Sequence, residues 1–92
     1  MPAQTLKDLV ARRQTCPPYQ VLLHNDDCNT MDHVVRSITR SVPQVPVREA
    51  MRIMLAAHRT GVACVITCPL EHAELYRDNL QSCGLTATIE AE

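Results

Sequence analysis

Proline and glycine set the strongest constraint on this chain, because they fall where they cut it into short segments. Six prolines stand at positions 2, 17, 18, 43, 46 and 69, and the two glycines are Gly61 and Gly84. Proline removes a backbone donor and clashes inside a helix, while glycine takes up the left-handed backbone that often ends one. Between these breaks the apolar spacing names each element. Residues 19–24, with Tyr19, Val21, Leu22 and Leu23, read as a strand. A polar loop follows at Asn25, Asp26, Asp27 and Cys28. Asn29 then stands as a helix cap with Asp32 three residues on. Met31, Val34, Val35, Ile38 and Val42 recur at helical spacing until Pro43 stops them. Pro46 opens a second helix, whose apolar stripe reads Val47, Ala50, Met51, Met54 and Leu55, with His58 in step and Gly61 at the end. Residues 62–67 form a strand apolar on both faces, which predicts a central place in a sheet. Pro69 starts a third helix carrying Leu70, Ala73, Tyr76 and Leu80, and Gly84 ends it. Residues 85–89 alternate as a last strand. The expected order is β-α-α-β-α-β. This is an α+β fold, a three-stranded antiparallel sheet packed against three helices.

Composition bounds what such a fold does. Ninety-two residues, 46% of them hydrophobic, suffice for one small core. With no Trp, no Phe and two Tyr, that core is built from Val, Leu, Ile, Met and Ala. A net charge of −1 lacks the basic excess of non-specific nucleic-acid binding. No apolar run approaches the ~20 residues of a bilayer span, and the first residues lack an apolar signal region, so a cytoplasmic protein is expected. Residues 1–17 carry only a weak Leu6, Leu9, Val10 pattern and read as a flexible tail, leaving residues 18–92 as the domain. Five cysteines, Cys16, Cys28, Cys64, Cys68 and Cys83, are an odd number at irregular spacing, a poor disulfide framework without paired zinc ligands. Cys64 and Cys68 are expected to straddle a strand end and a helix start.

Two features go beyond core building. One is the run His24, Asn25, Asp26, Asp27 between strand and helix; the other is His58, which extends an apolar stripe. Singly, the first is ordinary turn chemistry and the second an ordinary core histidine. Together they offer carboxylate, amide and neutral imidazole acceptors to a group with three donors and a positive charge, which is an ammonium. Met31 and Met54 suit a hydrophobic side chain attached beside that ammonium.

Residues 18–27, Met31 with Val34, and Met54-Leu55-Ala56-Ala57-His58 followed by Gly61 resemble the signature of the ClpS adaptor family, from about Pro17 to Glu90. The resemblance implies a three-stranded sheet against three helices, similar to a ribosomal stalk protein domain. It implies an N-end-rule receptor that holds a substrate α-amino group at Asn25, Asp26 and His58. The first side chain would enter a pocket formed by Leu23, Met31, Val34, Met54, Ala57 and Leu85. The partner implied is a AAA+ unfoldase, ClpA or ClpC, and the substrates begin with Leu, Phe, Tyr or Trp. A monomer without catalysis, cofactor, metal, nucleic acid or membrane is expected. The family usually has Thr-Pro-Met where this chain has Asn29-Thr30-Met31, a Phe at His33, and a Val at Ala57. The alternatives are a Cys28 nucleophile with His58 as base, a metal held by His24, Cys28 and His58, and a structural module of ribosomal-stalk type. The first lacks a glycine-rich turn for an oxyanion hole, and the last leaves His58 on its apolar stripe without a reason.

The tail carries a prediction of its own. At ~3.3–3.6 Å per extended residue it spans several tens of ångströms, enough to enter an unfoldase pore beside a docked domain. Deleting residues 1–16 should leave peptide affinity unchanged and abolish the acceleration of reporter degradation by purified unfoldase and protease. Equal delivery by the truncated protein would make the tail a passive extension.

Overall fold

The computed structural model describes residues 17–92. Most of the expected tail, with Leu6, Leu9, Val10 and Cys16, lies outside them. The elements are β1 (Tyr19–His24), α1 (Met31–Ser41), α2 (Val47–Thr60), β2 (Val62–Cys68), α3 (Leu70–Ser82) and β3 (Thr86–Ala91), in the expected order. The sheet is antiparallel throughout. Helix α2 packs on β2, α3 packs on β3 and β1, and α1 lies against both of those helices.

The sheet order is β2-β1-β3, so the first strand is central and β2 is an edge. The expectation of a central β2 is therefore corrected. Its physical reason is a break in register: Val21 pairs with Ile66, but Leu22 pairs with Cys64, which leaves Val65 as an extra residue. Val65 is buried in the core and Ile66 packs against it, so two consecutive residues serve one side of the sheet. A bulge thus imitates, in sequence, a strand buried on both faces. Cys64 and Cys68 both lie within β2 rather than straddling its end.

Two helix readings also change. Thr30, not Asn29, caps α1: its hydroxyl oxygen accepts from the His33 N–H at 3.1 Å. Asn and Thr are both good caps and stand side by side here, so sequence alone does not choose between them. On α2 the buried residues are Ala50, Ile53, Met54 and Ala57. Val47, Met51 and Leu55 are 58%, 48% and 39% exposed, so three of the five apolar residues of the expected stripe face outward. Ile53 and Ala57 take the inward places instead, because the apolar spacing of α2 fits two neighbouring stripes.

The core is aliphatic, centred on Val21, Ile38, Val42, Ile53 and Leu80, with Tyr76 as its one buried aromatic ring. The Tyr76 hydroxyl accepts from Gln44 Nε2 at 2.7 Å, fastening the α1–α2 connection to α3. Helix α2 ends at Gly61, whose φ of 91° is left-handed and whose N–H donates to the Ala57 carbonyl at 2.8 Å.

A Cβ at Gly61 would meet nothing within 4 Å, so Gly61→Ala should cost only the backbone penalty, ~1–2 kcal/mol. Urea unfolding should register that loss, with part of it recovered in Gly61→Asn. A cost near zero would show that the helix end relaxes away from the left-handed turn.

Candidate functional site

Strand β1 leaves the sheet beside the end of α2, and a hydrogen bond fixes the junction. The Asn25 N–H donates to the Gly61 carbonyl at 2.9 Å, so the loop after β1 is tied to the turn that ends the His58-bearing helix. Neither residue is close to the other in sequence. The glycine that stops α2 therefore also places the polar loop against it.

The loop itself is organised around Asp26. Its carboxylate accepts from the backbone N–H groups of Asn29 at 2.8 Å and Cys28 at 3.0 Å. Asn29 Nδ2 adds contacts at 3.2 and 3.1 Å to the two carboxylate oxygens. These donors hold the Asp26 carboxyl below the usual carboxylate range, the Asn29 backbone N–H having the largest effect and its side chain the next. Asn29 Nδ2 also donates to the Gly84 carbonyl at 3.0 Å, reaching the turn between α3 and β3. One helical turn further on, His33 Nε2 lies 2.7 Å from the Cys83 carbonyl and therefore carries the proton of that bond. The start of α1 is thus pinned twice to the same turn. The four donor contacts of the loop all fall on Asp26, and Asp27 stands exposed beside it.

Between this loop, α1 and α2 opens a cavity of about 240 Å³. Leu23, Met31, Val34, Met54 and Ala57 supply apolar wall, while Asn25, Asp26 and His58 supply polar rim. Eight of the nine residues expected at the site are therefore brought together. The ninth, Leu85, is 4% exposed and sits in the core, not on the cavity wall. His24, Asp27 and Asn29 border the cavity as well. Asp27 and His24 belong to the run that drew attention in the sequence, whereas nothing local distinguishes Asn29 from a helix cap. His24 Nε2 is engaged with Thr88 Oγ1 at 2.7 Å, on the β3 side. Cys28 is not on the wall with His58, and its backbone N–H serves Asp26. Among the described residues no three of His, Cys, Asp and Glu come together to hold a metal ion, and no helix is long and apolar enough to cross a membrane.

The arrangement has the chemistry of a small receptor: one concave apolar wall and a cluster of acceptors at its mouth. Its volume lies below the ~300–1,000 Å³ of drug-sized ligand sites and suits a single amino-acid side chain. Known proteins share this sequence pattern and fold. The family model described as "ATP-dependent Clp protease adaptor protein ClpS" matches residues 14–88. The ClpS adapter of Synechococcus sp. (strain CC9902) is 49% identical over 80 residues, covering 87% of this chain and 77% of that one. That of Gloeobacter violaceus is 42% identical over 92 residues, covering 100% and 99%. A chloroplastic adapter, CLPS1 of Chlamydomonas reinhardtii, is 48% identical over 82 residues, covering 88% of this chain and 51% of that one. The solved structure of Agrobacterium tumefaciens ClpS2 bound to L-phenylalaninamide superposes with a TM-score of 0.77 at 28% identity, covering 83% of this chain and 98% of that one. The chain belongs to the ClpS family of ATP-dependent Clp protease adaptors.

Asn29→Ala tests the loop. It should cost about 1–2 kcal/mol at neutral pH, since bonds to a charged acceptor are lost. A carboxyl whose folded pKa is depressed stabilises the fold above its unfolded pKa, and that stability fades as pH falls through the folded value. The gap between wild type and variant should therefore narrow in acid, leaving the part owed to the Gly84 bond. A gap independent of pH would contradict the role given to Asn29.

Proposed function

We propose that this chain is an N-recognin: it binds the free α-amino group and bulky hydrophobic first side chain of a substrate and delivers it to a ClpA- or ClpC-type AAA+ unfoldase. The observation that carries this reading is that one cavity joins an apolar pocket of side-chain size to a rim of acceptors. An N-terminal residue has the matching parts one carbon apart, an ammonium and a side chain. Family membership supports the delivery step, and the phenylalaninamide held by the Agrobacterium relative carries that same pair of groups.

The acceptors divide the work. Asn25 Oδ1 and a His58 ring nitrogen each accept one ammonium hydrogen. Asp26, kept ionised by its loop bonds, adds negative potential, and the exposed carboxylate of Asp27 is free to take a direct contact. Leu23, Met31, Val34, Met54 and Ala57 enclose the side chain; Leu85 backs them from the core. The alanine at position 57 leaves the wall shallow there, which favours Leu and flat aromatic rings. Met31, half exposed at the mouth, crowds a side chain branched at Cβ. The tail at residues 1–17 is proposed to be the segment the unfoldase grips.

Peptides differing only in the first residue test this reading by fluorescence anisotropy. Leu, Phe, Tyr or Trp should bind and Lys, Asp or Gly should not, because burying such a side chain is worth ~1.5–3 kcal/mol, about one to two decades. Acetylating the amino group should remove binding. Affinity should fall in alkali as the peptide amine, ordinarily near pKa ~7.7–8.0, loses its charge. His58→Ala should weaken binding. Equal affinity for Leu-first and Lys-first peptides would sink the pocket, and unchanged affinity in the variant would remove His58 from the amine site.

A further inference from the structure

The outward part of the α2 stripe has no role in the core. Helix geometry relates it to the cavity. Positions 47, 51 and 55 drift by ~40° at each step, and position 58 falls between the directions of 47 and 51. Val47, Met51 and Leu55, all exposed, therefore form a ridge in line with His58 on the cavity rim. From His58 the ridge runs about two turns, ~10 Å, to Met51 and about three turns, ~16 Å, to Val47. An extended peptide covers that distance in ~3–5 residues.

The ridge is bordered on its outer side by cations. Arg48, Arg52 and Arg59 follow it around the helix, and all three are exposed. Glu49 pairs with Arg52. Arg48 and Arg59 have no ion pair among the described residues. The opposite helix has the reverse balance, Glu71, Glu74 and Asp78 against Arg77. An apolar line continuous with the cavity and edged by Arg48 and Arg59, neither ion-paired among the described residues, fits one kind of occupant: the stretch of substrate that follows the bound first residue, with acidic and apolar side chains.

We propose that α2 selects substrates by their third to fifth residues, favouring acidic side chains interleaved with apolar ones and disfavouring lysine and arginine. This rests on the N-recognin reading and adds a substrate class to it. The preference begins at the third residue because Asp26 and Asp27 lie at the cavity itself, where a second-residue carboxylate would meet like charge.

Two labelled peptides decide the matter, Leu-Ser-Glu-Leu-Glu and Leu-Ser-Lys-Leu-Lys, each with a free amino terminus and a shared neutral continuation. At low salt the Glu peptide should bind ~3–10-fold tighter, the effect of two exposed ion pairs. At ~1 M salt the two should converge, because screening shortens to about 3 Å. The double variant Arg48→Glu, Arg59→Glu should reverse the order, and Met51→Gln should weaken both peptides; all three positions are exposed, and circular dichroism verifies folding. Equal binding of the two peptides, or an order that survives the charge reversal, overturns the proposal while leaving the cavity reading intact. Failure of both peptides to bind overturns the two together. A concentration-dependent dimer in sedimentation that Met51→Gln abolishes would give the ridge to a second copy of the chain and also overturn it.

Discussion

The bond from the Asn25 N–H to the Gly61 carbonyl is the constraint on which the site depends. It joins the exit of the central strand to the end of α2, so a loop of acceptors and a helix carrying His58 share one wall. The bond falls at the left-handed turn that ends α2 at Gly61, where φ is 91°. Glycine takes that conformation without the ~1–2 kcal/mol that other residues incur. The site is therefore assembled by a helix terminator, and its parts come from segments more than thirty residues apart.

A second set of bonds stiffens the loop at this junction. Asp26 is nearly saturated by the Cys28 and Asn29 donors, and Asn29 in turn reaches Gly84. With His33 bonded to Cys83, the mouth of the cavity is braced by the turn that precedes β3. Charge and rigidity are thereby separated. Asp26 holds the loop and its negative field, and Asp27 remains available at the rim. A binding site whose acceptors are fixed before the ligand arrives loses less ordering entropy on binding.

Much of this architecture was legible in the residues, for identifiable reasons. Proline and glycine marked the element boundaries because their backbone chemistry is local. The His24–Asp27 run and His58 announced a polar site because such residues are out of place beside Met31 and Met54. What escaped was everything set by long-range geometry. The edge position of β2 was hidden by the Val65 bulge, which mimics two-sided burial. The inward face of α2 was misjudged because the spacing fits two neighbouring stripes, and the one read, through Val47, Met51 and Leu55, left out Ile53 and Ala57. Asn29 reads as a cap until its side chain is seen between Asp26 and Gly84, and Leu85 reads as pocket until it is seen within the core.

The central claim is that the cavity between the β1–α1 loop and α2 holds the first residue of a substrate. Amide NMR of the isotopically labelled protein during titration with leucinamide tests it most directly. The account predicts saturable shifts concentrated at Leu23–Asp27, Met31, Val34 and Met54–His58, and none of comparable size with N-acetyl-leucinamide. Shifts that cluster on α3 or on the uncovered face of the sheet, or that appear equally with the acetylated compound, would contradict it.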